Sequence, residues 1–151
     1  MKALIMFAAL LLAAPATAQT KAATTHASNP VVVESYYRVK WGSEDEFKQL
    51  YNRNEAALLL EMQRRGFITN LRFDEPFTHF PGEARWTLRA TVTYRDAPSA
   101  IEINGAWDEA WEEVRALLRP DKKVFDAEQA RRFALMEDHW DVIVNAYDPK
   151  K

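Results

Sequence analysis

Val31-Val32-Val33-Glu34-Ser35-Tyr36-Tyr37-Arg38-Val39-Lys40-Trp41-Gly42-Ser43-Glu44-Asp45-Glu46-Phe47 changes its period at a single glycine. Before Gly42 the odd positions are mostly apolar: Val31, Val33, Tyr37, Val39 and Trp41. From Glu34 the even positions are polar or amphipathic: Glu34, Tyr36, Arg38 and Lys40. That alternation describes a half-buried strand with one wet or ligand-facing side. After Gly42 the spacing becomes helical, with Phe47, Leu50, Tyr51, Leu58 and Met62 on one face and an end near Arg65. Ser43 to Glu46 has the form of a capping box, and three acidic residues suit the positive end of a helix. Gly66 can close that helix in a left-handed conformation. The unbroken apolar run Ala56 to Leu60 wraps more of the helix than one sheet can cover. It implies a second packing surface, either another helix or a partner subunit.

Downstream, Phe67 to Phe73 and Ala84 to Tyr94 are expected to pair as strands across a connection containing Pro76, Pro81 and Gly82. The second has the clearest alternation, with Trp86, Leu88, Ala90, Val92 and Tyr94 between Arg85, Thr87, Arg89, Thr91 and Thr93. Pro98 opens a helical region reaching about Leu118, interrupted at Asn104-Gly105, with Trp107, Trp111, Val114 and Leu118 as its buried face. Asp126 is expected to cap another helix through about Asp138, with Ala130, Phe133, Ala134 and Met136 as apolar members. Trp140 to Tyr147 closes as the last strand. This order predicts an α+β ferredoxin-like sandwich: a four-stranded antiparallel sheet, helices on one face, and the strands beginning at Val31 and Ala84 in its centre.

The ends carry a different message. Lys2, the apolar run Ala3 to Ala14 and Ala16-Thr17-Ala18 read as a signal peptide over residues 1–18, cleaved before Gln19. The apolar run is too short to span a bilayer, which needs roughly 20 residues. The mature chain is therefore expected in the periplasm or outside the cell, with no membrane attachment after cleavage. Residues 19–30 read as a flexible leader, 31–147 as the domain and 148–151 as a tail. The chain contains no cysteine, so packing of its 5 Trp, 8 Phe and 5 Tyr must replace disulfides. A slight acidic excess, 22 acidic against 20 basic residues, argues against a dedicated nucleic-acid partner.

The strand Tyr37-Arg38-Val39-Lys40-Trp41, followed by Gly42, Ser43-Glu44-Asp45-Glu46-Phe47 and a long helix, resembles the opening of dimeric α/β-barrel proteins. That superfamily includes antibiotic-biosynthesis monooxygenases, stress-responsive barrel proteins and haem-degrading enzymes. The resemblance implies a homodimer in which two sheets face each other. It also implies cofactor-independent monooxygenase or isomerase chemistry as one alternative. The haem-degrading members use an Asn on the first strand, a Trp on the third and a His on the second helix. Only Trp86 matches, since the first strand offers Glu34, Ser35, Tyr36 and Tyr37 and no His lies between Pro98 and Leu118. No cofactor is assigned.

The polar side of the expected sheet holds the candidate site. It carries Glu34, Tyr36, Arg38 and Lys40, then Asn70, Arg72 and Asp74, then Arg85, Thr87, Arg89 and Thr91, with Asp141 and Asn145 beyond. Arg38 and Arg89 on the central strands suit bidentate recognition of an anion. In the alternative, Arg38, Arg72 and Arg89 simply pair with Glu34 and Asp74. His79, between Phe77 and Phe80, offers a loop contact to a ligand, and His139 suits a helix end. No metal-ligand spacing, phosphate loop or nucleophile elbow is present. The ligand-binding candidates are Tyr36, Arg38, Arg72, His79, Trp86 and Arg89, and no catalytic residue or metal ligand is assigned. The resulting expectation is an exported homodimer that binds a small anionic or aromatic molecule, with turnover left open.

Overall fold

Alternation at the opening strand becomes β1 (Val31–Val39), and the helical stripe after Gly42 becomes α1 (Glu44–Tyr51) and α2 (Ala57–Arg64). A π-helical turn, Asn52–Ala56, joins the two helices without a break. The computed structural model describes residues 29–78, 81–145 and 149–150. The expected signal peptide, most of the leader, His79 and Tyr147 lie outside the described residues. The remaining elements are β2 (Ile68–Asp74), β3 (Leu88–Tyr94), α3 (Ala97–Ile101), α4 (Ala106–Leu118), α5 (Lys122–Ala134) and β4 (Met136–Val144).

All strand pairings are antiparallel, and the sheet order is β2-β3-β1-β4. The two central strands are those with the clearest alternation, and the fold is ferredoxin-like. Register sorts the side chains. Glu34 pairs with Thr91 and Val142, and Tyr36 with Arg89 and Trp140, on the open face. Tyr37 pairs with Leu88 and His139 on the helix face.

The core divides into two continuous parts along the helical rod. Tyr37, Val39, Phe47, Leu50, Tyr51, Leu88 and Ala90 form one, completed by Leu135. Leu58, Leu59, Met62, Val92, Ala110, Val114 and Phe125 form the other, with Trp107 and Trp111 packed against it. Helix α4 is therefore the second packing surface implied by the apolar run, and it covers Leu59 while Leu60 stays exposed.

Several expectations shift in the structure. Ser43 makes no side-chain cap, because the Glu46 carboxylate is drawn to Arg131, which donates to it from Nε and Nη2 at 2.7 Å each. Strand β3 starts at Leu88 rather than Ala84, after a 3-10 turn at Gly82–Ala84. Thr87 and Arg85 instead finish the end of β1: Thr87 Oγ1 accepts from Val39 N at 3.1 Å, and Arg85 Nη1 donates to Val39 O at 2.9 Å. The last helix begins earlier because Asp121, not Asp126, accepts from the backbone of Val124 at 3.0 Å. The last strand accordingly starts at Met136. Its phase places Trp140 and Val142 on the open face, so Asp141, opposite Ser35, belongs to the helix face and Asn145 lies beyond the strand. The inner face of α5 also differs, since Phe125 and Arg132 are buried while Phe133 is 53% exposed. Leu118 is exposed as well, past the last turn that packs.

Candidate functional site

On the open face the sequence-derived candidates form ion pairs around an aromatic centre. Arg89 donates to Asp74 Oδ2 from Nε at 3.2 Å and from Nη2 at 3.0 Å, and its Nη1 lies 3.8 Å from Glu34. Arg72 shares the same Asp74 oxygen at 3.0 Å. Arg38 turns to the other neighbour, reaching Asp138 at 3.1 Å and Glu137 at 3.6 Å on β4. Tyr36 stacks on Trp140 with centroids 5.2 Å apart and planes 4° apart, and meets Trp86 edge-on at 5.9 Å. The Arg89 guanidinium lies 5.5 Å from the Trp86 ring centroid. The structure thus brings Tyr36, Trp86 and Arg89 together, sets Arg72 beside Asp74, and turns Arg38 toward β4. Pairing of Arg72 and Arg89 with Asp74 agrees with the simpler alternative weighed above, whereas Arg38 chooses β4 carboxylates.

A different site lies on the other side of the sheet. The apolar stripe of the helical rod passes through Asn54 and Glu55, both in the π turn. π turns occur frequently at functional sites. Opposite them, α5 presents Glu128, Gln129 and Arg132. Arg132 is 3% exposed and donates from Nη2 to Glu55 Oε2 at 3.1 Å and from Nε to Gln129 Oε1 at 2.9 Å. Its guanidinium carbon lies 5.6 Å from the Tyr51 ring centroid. Asn54 donates to Glu128 at 2.9 Å, and Glu128 also pairs with Arg53 at 3.2 Å and with Arg119. Two buried atoms of this cluster, Asn54 Oδ1 and Arg132 Nη1, have no hydrogen-bond partner.

Glu55 is the chemical centre. Burial raises its pKa above the usual carboxylate value, a rise opposed by Arg132 and Gln129 and reinforced by Asp141. Burial, followed by the charge of Glu55, pushes the Tyr37 and Tyr94 hydroxyls up to about 12. Tyr51 moves in the same direction, again mainly through burial. His139 extends the cluster along β4, stacking on Tyr37 at 4.6 Å, with its Nε2 3.5 Å from Asp141.

The Glu55 side chain keeps 21% exposure, and it forms one wall of a cavity of about 300 Å³. The other walls are Leu59 of α2, Tyr94 of β3, and Trp107, Asp108 and Trp111 of α4. Trp107 stacks against Trp111 at 5.8 Å and receives Tyr94 edge-on at 5.0 Å. Asp108 Oδ2 accepts from the backbone of Asn104 at 2.6 Å. Two carboxylates and three aromatic rings line this space, and no basic side chain does. A smaller cavity, about 180 Å³, lies between Trp41, Phe77, Arg85 and Trp86. Both of its basic walls are already paired, Lys48 with Glu75 at 3.2 Å and Arg85 with Glu137 at 2.6 Å. Among the described residues no group of three or more His, Cys, Asp or Glu is placed to hold a metal ion.

No protein-family model and no curated protein matches the chain. Solved structures share its architecture. A NIPSNAP family protein from Agrobacterium tumefaciens is 17% identical, with 82% of this chain and 91% of that one covered and a TM-score of 0.44. A dimeric ferredoxin-like protein from an uncultured marine organism is 6% identical, covering 80% and 91%, with a TM-score of 0.49. A Bacteroides thetaiotaomicron protein, provisionally assigned as an antibiotic biosynthesis monooxygenase, is 10% identical, covering 80% and 92%, with a TM-score of 0.47. The likeness is one of fold.

Sequence reasoning passed over Glu55, Arg132 and Asn54. A signal existed: polar residues at 54 and 55 interrupt the stripe that runs from Phe47 to Met62, where a buried helix face calls for apolar side chains.

Proposed function

We propose that the protein is exported, pairs with a second copy through its open sheet face, and binds a small molecule between helices and sheet. One observation carries the binding reading: the cavity of about 300 Å³ walled by Trp107, Trp111, Tyr94 and the raised-pKa carboxyl of Glu55. Its size suits one small ligand, and aromatic walls with a few convergent polar groups are a usual form of ligand site. Pairing through the open face is supported by its anatomy. The Tyr36–Trp140 stack and Trp86 occupy the middle, with ion pairs of Arg38, Arg72 and Arg89 around them, as in an interface with an aromatic centre and a polar rim. Val142 adds exposed apolar surface to the same face. Export is supported by the apolar run Ala3 to Ala14 and the small-residue site Ala16-Thr17-Ala18.

Native mass spectrometry of the protein purified gently from its own compartment tests all three parts. The expected species is a dimer of chains beginning at Gln19, carrying a reproducible small-molecule mass. A clean monomer overturns the pairing, chains that retain Met1 overturn export, and a bare protein that takes up no small molecule overturns binding.

A further inference from the structure

We infer that the molecule held between α2, α4 and β3 is a small organic cation, an alkylammonium or quaternary ammonium compound. This inference rests on the cavity being a binding site and names the class of its ligand. Aromatic rings carry negative π faces that attract a cation positioned over them. Trp107, Trp111 and Tyr94 provide three rings in one wall. Glu55 and Asp108 add two carboxylates to the same wall.

The surrounding charges point the same way. Glu55 is faced by Arg132 from α5, while Asp108 belongs to α4 and the charge of Asp141 on β4 reaches Glu55 as well. The one guanidinium beside Glu55, that of Arg132, is already engaged by Glu55 and Gln129, and Asp108 has no basic side chain beside it in the cavity lining. An anion entering this space would meet two carboxylates and no basic side chain in the lining. A neutral guest would leave the acidic wall uncompensated. An ammonium compensates it and favours the ionised form of Glu55, opposing the rise that burial imposes on its pKa.

The experiment uses choline chloride as the probe and 3,3-dimethylbutan-1-ol, which has the same shape without the charge, as its control. Calorimetric titration of the mature protein is expected to show choline binding about tenfold or more tightly than the neutral alcohol. Sodium phenylacetate, an aromatic anion, is expected not to compete. Glu55→Gln is expected to weaken choline binding by about tenfold, and Asp108→Asn, at the exposed start of α4, to weaken it in the same direction. The two variants check each other, because Asp108 lies outside the buried cluster and its replacement leaves the core intact.

Choline affinity is further expected to rise with pH, since the cation favours ionised Glu55. The titratable and charged groups around Glu55 are Tyr37, Tyr51, Tyr94, Asp108, Arg132 and Asp141, with His139 beside Tyr37 and Asp141. The Glu55 share is the part of the pH dependence that Glu55→Gln abolishes. Equal or tighter binding of the alcohol or of phenylacetate overturns the cation while keeping the cavity as a site. Silence with all three probes overturns both readings.

Discussion

Arg132 is buried, and one hydrogen bond of 3.1 Å joins it to Glu55, whose side chain keeps 21% exposure at the cavity wall. Removing one member of a buried pair leaves the other without compensation, at a cost of roughly 3–5 kcal/mol. Arg132→Met is therefore expected to lower unfolding stability by about that amount, measured by urea denaturation of the purified protein. Arg132→Met combined with Glu55→Gln is expected to recover much of the loss, because the orphaned carboxylate is gone. The same carboxyl gives a signed pH dependence. Its folded pKa is raised above 4.5, so the folded state holds a proton that the unfolded chain has already released. Its contribution to stability is complete below 4.5 and is lost as pH rises through the higher folded value. Urea midpoints of the native chain and Glu55→Gln, compared from pH 4 to 8, are expected to show this decline only in the native chain. The comparison by difference matters because Glu46, Glu61 and Asp96 are shifted downward by partners and act in the opposite sense, losing stability as pH falls.

At the scale of elements, two caps that look equivalent in sequence behave differently. Asp121 accepts from Val124 N at 3.0 Å and starts α5, whereas Ser43 makes no side-chain cap at the start of α1. Asp121→Ala is expected to cost about 1 kcal/mol and Ser43→Ala close to nothing, both read from thermal or urea unfolding. The contrast also shows how far local patterns reach. The alternation of β1 and β3 and the stripe of α1 and α2 were legible because each buries one continuous apolar face. Helix α5 was misplaced by about one turn because its inward positions hold Glu128, Gln129 and Arg132, whose partners Asn54, Glu55 and Arg119 come from elsewhere in the chain. The phase of β4 was hidden for a related reason. Aromatic Trp140 faces away from the helices, and charged Asp141 faces toward them, which inverts the ordinary rule for a one-sided sheet. The open-face candidates were visible as residues, but the cavity was not, since its walls come from α2, β3, α4 and the π turn.

For the whole molecule, the open face makes the assembly testable at one position. Trp140, on the edge strand β4, stacks flat on Tyr36 of the central strand β1, so a charge placed there lies on the face proposed to pair. Trp140→Glu is expected to turn the proposed dimer into a folded monomer, seen by analytical ultracentrifugation, with the far-ultraviolet circular dichroism retained. An unchanged dimer would move the interface elsewhere. Choline binding should survive in that monomer, because the cavity is built within one chain on the opposite side of the sheet.

The position of the last strand also governs time. Strand β1 emerges first and sits in the middle of the sheet, yet one of its two neighbours is β4, joined to it through residues 100 positions apart, such as Arg38 and Asp138. A chain still being made can pair β1 with β3 but leaves the other side of β1 bare until β4 appears. Sheets closed by such distant partners form slowly. The sheet therefore closes only when β4 arrives, after every other element described has been made.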